Sequence, residues 1–371
     1  MMNQFQFLLK SHFKQKHSHI AKKNSGFTLI ELLVAMILAV LVITPLLGFM
    51  INILDTDRKE QAKVNSEQEI QTALDYIAQD LKQAIYIYDA RGIDAIQDEL
   101  PYAGDANKVP VLVFWKREFK KAAVTRDYFE GTNDGFVYSL VAYYLIQSNS
   151  TNNPNNIWSN QFRIAKFELK GGINDPDEPF EKDSNGQVRF DDSTPPKPIP
   201  KYITDPDPGF ALFTVDDPAI TGTVEEKMNS WTKGDGEYEL SNTAVLVDYI
   251  DASPRNDAEY PELKPIDDCT IVFDVERVPE ELQASRRAAQ KVPSFSGDHS
   301  YSTNNDLNNG SFYACVDVDR ISAKVFIRGN AYARINNRDT NYNKNRQSYF
   351  PTASSQVKAR GIFGIFKELN Q

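Results

Sequence analysis

A lone carboxylate, Glu31, stands five residues beyond Gly26 in "KKNSGFTLIELLVAM", a stretch that is otherwise apolar once its lysines are passed. A carboxylate held within hydrocarbon costs roughly 2.5–3.5 kcal/mol, so the chemistry it calls for is pairing with a cation. Two thiols, Cys269 and Cys315, are the only cysteines, and they read either as a disulfide or as two buried thiols. A bridge between them would close a loop of 46 residues, which stabilises by about 4 kcal/mol in the loop-entropy picture. In "EKDSNGQVRFDD", Glu181, Asp183, Asn185, Gly186 and Asp192 stand at roughly the offsets of a calcium loop. Glu at the first position, Asp at the last and the lack of flanking helical pattern favour an Asn-Gly turn over calcium, and no other cofactor is indicated. Arg328, Arg334, Arg338, Lys344 and Arg346 interleave with Tyr332, Tyr342 and Tyr349. Such a set suits an anionic polysaccharide, a solvated sheet face or a contact with an acidic neighbour.

Catalysis finds little foothold. The sequence has no G-x-S-x-G, no H-E-x-x-H, no phosphate loop and no complete dinucleotide fingerprint, so a non-enzyme is expected. Zinc is disfavoured because His12, His17 and His19 all precede Gly26 and only His299 follows it. The 371 residues are 41% hydrophobic and 25% charged, which excludes wholesale disorder. Net charge is −10, unevenly spread: five lysines and no acid occupy residues 1–26, ten Lys/Arg against two acids follow from Arg320, and the body between is strongly acidic. That distribution argues against nucleic acid as a partner.

These groups need elements to hold them. From Phe27 to Leu54 almost every residue is apolar, long enough for a helix to cross a bilayer. The run is too long for a secretory signal peptide and lacks a small-residue cleavage site, so it reads as retained. The lysines ahead of it place the N-terminus in the cytoplasm and residues beyond about 55 outside. Pro45 and Gly48 mark either a kink or a break in this helix. Ile70, Leu74, Ile77, Leu81, Ile85 and Tyr88 then recur every three or four residues, predicting one helix from about Phe27 to about Tyr88 whose second half (55–90) packs on a globular head. Within residues 91–371 strands are predicted at Val111–Arg117, Phe136–Gln147, Phe162–Lys170, Thr243–Ile250, Cys269–Val278 and Ala314–Ile335. "PEELQASRRAAQK" reads as a short helix with Pro279 first and Arg286, Arg287 and Lys291 late. Stretches 148–160 and 171–209 are polar loop insertions. The fold class expected is α+β, a long N-terminal helix on an antiparallel sheet.

"GFTLIELLVAM" after a basic leader resembles the class III signal of type IV pilins and pseudopilins. The resemblance implies a pilin-like fold and cleavage of leader 1–26 between Gly26 and Phe27 by a prepilin peptidase. It further implies N-methylation of Phe27, and Glu31 as the docking group for the N-terminal amine of a neighbouring subunit. Partners implied are other pilins or pseudopilins and, indirectly, an inner-membrane platform protein and an assembly ATPase. The strand order is similar to large minor pseudopilins of the J type and their type IV relatives, with "DRISAKVFIRG" resembling the final strand. Taken whole, the chain looks most like the hormogonium polysaccharide secretion pseudopilins of filamentous cyanobacteria. This implies an inner-membrane, single-pass protein with a periplasmic head, joining a pilus-like fibre that supports polysaccharide export and gliding. A tip-priming minor pilin for twitching or DNA uptake, and a membrane-tethered carbohydrate-binding protein that never assembles, are the rival readings.

Overall fold

A computed structural model describes residues 26–125, 132–175, 178–192, 196, 198–215, 221–276, 279–295, 297 and 299–359. Residues 1–25 of the leader, with its lysines and three histidines, lie outside the described residues. The chain divides into two units, Met1–Asp57 and Arg58–Gln371.

Helix α1 (Leu29–Leu81) runs unbroken through Pro45 and Gly48. The unwound alternative at those positions is therefore not the conformation of this single chain: a proline removes one backbone donor, and the turns on either side keep theirs. In the first unit every residue from Gly26 to Asp57 is exposed, including Leu29 at 89% and Leu41 at 67%. Among the described residues α1 is the one helix long and apolar enough to cross a membrane.

In the second unit α1 changes character. Ile70, Ala73, Leu74, Ile77 and Leu81 are buried at helical spacing, each large side chain contributing about 1.5–3 kcal/mol relative to exposure. The helix stops at Leu81, short of the predicted Tyr88, where Gln83 N–H closes a tight turn on the Asp80 carbonyl. The aliphatic and aromatic "AIYI" that follows becomes β1 (Ala84–Ile87), antiparallel to β2 (Lys108–Thr125). Sheet pairing overrides the helical spacing of Ile85 and Tyr88. Asp89 then caps α2 (Ala90–Ile96) by accepting from Gly92 N–H.

β2 pairs with β3 (Thr132–Ile146), β3 with β4 (Phe162–Lys170), and β5 (Ile173–Asn174) with β6 (Tyr202–Thr204) as a small ribbon in the second insertion. After α3 (Val224–Asn229), strand β7 (Ala244–Ile250) completes a five-stranded antiparallel sheet in the order β1-β2-β3-β4-β7. Helix α4 (Glu280–Ala289) leads into β8 (Lys291–Val292), β9 (Phe312–Asp317), β10 (Ser322–Arg328) and β11 (Thr352–Lys358), a second sheet in the order β11-β10-β9-β8. One hydrophobic core runs through both sheets, and an Ile250–Gly329 bridge joins their ends.

Three strand expectations need correction. Predicted strand Cys269–Val278 is a 3-10 turn at Cys269–Ile271, because the Asp268 side chain accepts from Thr270 N–H and diverts the backbone from any ladder; Val278 lies outside the described residues. Predicted strand Ala314–Ile335 is a hairpin, β9 and β10, turning at "DVDRI" with Ile321 at φ 45°. The last strand is therefore not "DRISAKVFIRG" but β11, "TASSQVK", whose polar side chains mark an outer edge rather than a core. Pro279 caps α4 instead of opening it.

Candidate functional site

The candidate site is built at the start of α1. Thr28 accepts the Glu31 N–H on its hydroxyl at 3.3 Å and the Leu32 N–H on its carbonyl at 3.2 Å, so it caps the helix. Glu31 thereby falls in the first turn, where free N–H groups and the helix dipole favour an anion. The T-x-x-E spacing that produces this is legible in the sequence as a capping signal. The Glu31 side chain has no hydrogen-bond partner among the described residues, and its neighbours Phe27, Leu29 and Ile30 are 79%, 89% and 71% exposed. The site is thus a carboxylate surrounded by exposed apolar groups at one end of a helix.

The other end of α1 carries a carboxylate in the opposite condition. Asp80 is buried and receives Lys166 Nζ at 2.6 Å, Tyr143 Oη–H at 2.7 Å and Lys116 Nζ at 3.4 Å. Glu168 takes the same two lysines, each at 2.8 Å. Lys116 comes from β2, Tyr143 from β3, and Lys166 and Glu168 from β4, so three strands grip one turn of helix. Burial pushes the Glu168 carboxyl up, but the hydrogen bonds from Lys116 and Lys166 outweigh it and draw it down to about 2. Burial works against the Lys166 ammonium, yet Asp80 and Glu168 hold it above the usual lysine range. Sequence reading missed this cluster, since charged residues in "FWKR" and "FELK" look like the solvated face of half-exposed strands.

Cys269 and Cys315 are bonded, with Cα atoms 5.6 Å apart, in a small cluster with Phe273. The calcium candidate is a hairpin turn. Asp183 Oδ1 accepts from both Asn185 and Gln187 N–H at 2.9 Å, Gly186 takes φ 79°, and Glu181 binds Arg189 at 2.6 Å. Asp192 is exposed beside this ribbon. Among the described residues no three His, Cys, Asp or Glu side chains gather as metal ligands.

The basic set proposed for a polymer is dismantled by the fold. Arg328 is buried, donating to Asp251 at 2.7 Å and to the Leu263 and Asn309 carbonyls, because β10 ends inside the junction of the two sheets. Arg334 is bound to Glu69 and to Ser66 Oγ on α1 and lies over the Tyr249 ring. Arg346 pairs with Asp339 over the Tyr332 ring. Arg338 and Lys344 are exposed and make no ion pair among the described residues, but two solvated cations are no built site. In α4, Arg286 leaves the helix end for Glu225 on α3.

Comparison with known proteins adds one match: residues 21–47 fit the family model described as the prokaryotic N-terminal methylation motif. No curated protein matches the chain, and no solved structure matches it. The match falls on the segment that holds Gly26, Phe27 and Glu31, and it supports a type IV pilin or pseudopilin, processed by a prepilin peptidase, assembled with other pilins and anchored in a membrane.

Proposed function

We propose, from the premise that residues 21–47 carry a type IV pilin signal, that this chain is a minor pseudopilin of a type IV pilus or type II secretion-like assembly. In this reading the peptidase cuts after Gly26 and methylates the amine of Phe27. The chain waits in the inner membrane with its N-terminus cytoplasmic and its head periplasmic, then enters a pilus-like fibre. Its cargo is an exported polysaccharide and its cellular output gliding motility, in a filamentous cyanobacterium; this part rests on the resemblance of the whole chain and not on a site.

The observation that carries the proposal is Glu31, without a side-chain partner among the described residues, in the first turn of a helix whose first half is apolar and exposed. Exposed apolar surface on that scale must be covered by lipid or by other subunits. A carboxylate within it is tolerable near the membrane surface and becomes favourable when a neighbour's amine arrives, so Glu31 sets the register of docking. A structural subunit is the role this implies, with the head's ion pairs serving the fold and not a reaction.

Two variants test it. Gly26→Ala should keep the leader of about 3 kDa on the protein; normal loss of the leader would overturn the prepilin reading. Glu31→Val should be processed but absent from sheared or cross-linked fibres, and normal co-assembly would remove the docking role. Deletion of the chain should leave polymer made but not released; unchanged release would remove the polysaccharide cargo while leaving the pseudopilin.

A further inference from the structure

Each of the two larger sheets ends in two edge strands, and among the described residues three of these four edges carry a feature that discourages further pairing. β1 is four residues long and bulged between Ala84 and Tyr86. β8 has two residues. β7 slips register twice against β4. Short, bulged or irregular edges resist joining another strand. β11 is the exception: its seven residues are matched to β10 in unbroken register, with Pro351 lying before the strand and Lys358 at its end. The ladder shows which of its groups are free. Gly329 N–H donates to the Pro351 carbonyl, and Ala359 N–H to the Ile321 carbonyl. Hydrogen-bonded and open pairs alternate along an antiparallel ladder, so Ala353, Ser355 and Val357 turn their backbone groups toward β10. Thr352, Ser354, Gln356 and Lys358 turn theirs outward, where no described strand pairs with them. These four are also the exposed side chains, while Ala353 and Ser355 are half-buried and Val357 is buried.

We infer that β11 is a docking edge for the β11 of a second copy of this chain, the two strands running antiparallel about a two-fold axis at Ser355. In that register Ser354 of each copy pairs with Gln356 of the other, and Thr352 with Lys358, so every outward residue exchanges backbone hydrogen bonds. Moving the axis to Ser354 leaves Lys358 unmatched, and moving it to Gln356 leaves Thr352 unmatched. The faces also agree. On the core side Ala353 meets Val357 and Ser355 meets itself, while on the other side polar residues meet polar ones. The one charge of the strand, Lys358, stands opposite a threonine and at the far end from its symmetry mate, so no like charges face each other. None of the chain's other edges offers a strand both long and regular enough to receive β11, which selects a symmetric contact over a head-to-tail one. The inference rests on the second sheet alone and does not depend on the pilin reading.

The test is disulfide cross-linking of the full chain, in membranes and in detergent micelles. Cys269 and Cys315 are bonded to each other, so a cysteine introduced into β11 supplies the free thiol. Ser355→Cys should form a covalent dimer under mild oxidation, since side chains facing each other across an open pair stand about 4.5–5.5 Å apart at Cβ. Ala353→Cys, which faces Val357 of the other copy, should not. Ser354→Pro removes an outward N–H and spares the ladder to β10; added to Ser355→Cys, it should cut the dimer yield about tenfold. Ser354→Lys combined with Gln356→Lys changes exposed side chains alone, so the fold is kept; the yield should drop at low salt and return at high salt. Equal dimer from Ala353→Cys, indifference to Ser354→Pro, no dimer from Ser355→Cys, or Ser355→Cys joined to a different protein would each overturn the assignment. So would a dimer that forms only once residues 360–371, outside the described residues, are removed, because the chain's own segment would then hold the edge.

Discussion

Glu31 and Asp80 are carboxylates on the same helix, and they have opposite relations to the chain that carries them. Asp80 is enclosed by Lys116, Lys166 and Tyr143 of its own sheet, while Glu31 has no side-chain partner among the described residues and stands among exposed leucines and isoleucines. Both are charges in apolar company. For Asp80 the compensation is folded in; for Glu31 none is supplied by the described residues. The helix is thus divided by where the partner of each charge resides: within the sheet for Asp80, outside the described residues for Glu31.

The largest expected effect lies at the folded-in end. Asp80→Ala leaves two lysines against Glu168 alone in a buried site, and unfolding of the full chain in detergent should show a loss of about 3–5 kcal/mol. An effect below about 1 kcal/mol would mean that water reaches the cluster and that the contrast with Glu31 is false. Acid should act on the same group. Glu168 titrates near 2 when folded, below its unfolded value, so its contribution is fully present above about pH 4.5 and drains away as pH falls toward 2. Lys166 is shifted upward, so its share is present below the usual lysine range and is lost only as pH rises beyond it. The melting temperature should accordingly be level through neutral pH and fall in acid, and Glu168→Gln should flatten the acid limb.

Next in size is the disulfide, which also belongs to the self-sufficient region. Replacing Cys269 and Cys315 with serine opens a loop of 46 residues and should cost about 2–4 kcal/mol, read as a lowered denaturant midpoint with a steeper slope, because the unfolded chain is no longer held compact. Arg334 is smaller again. Its pairing with Glu69 is partly exposed, so Arg334→Ala should cost only about 0.2–1 kcal/mol from the ion pair, whereas Arg328→Ala, buried against Asp251, should cost several-fold more. A reversal of that order would show that the basic C-terminal residues were misassigned to the fold.

How much of this could be read beforehand follows the same division. Long helix, antiparallel sheet and the β4 boundaries Phe162–Lys170 were legible because apolar periodicity and turn residues are local signals. The Gly26–Phe27–Glu31 signal was legible for the same reason: its meaning lies within a few consecutive residues. The Asp80 cluster was not, because Asp80 and Glu168 are brought together only by the sheet's wrapping, and lysine in a strand reads as a solvent-facing residue. The same blindness made Arg328 look available when its carboxylate, Asp251, lies far away in sequence. β11 escaped notice since Thr, Ser and Gln on an edge strand carry no hydrophobic alternation.

The smallest effect on stability should come from the residue with the largest effect on assembly. Glu31→Gln keeps the length and shape of the side chain and leaves Thr28 to cap the helix through the unaltered backbone N–H at position 31. The change removes only the charge, and that charge has no partner within the described chain, so head unfolding should move by no more than about 0.5 kcal/mol, the usual range for a surface change. Fibre entry should fail nonetheless, because a neutral amide cannot pair with a subunit's ammonium as a carboxylate does. Should Glu31→Gln assemble normally, the residue serves the helix start and not the docking. Should it instead lower the stability of the head, the two ends of α1 would be energetically coupled and the comparison with Asp80 would no longer separate folding from assembly.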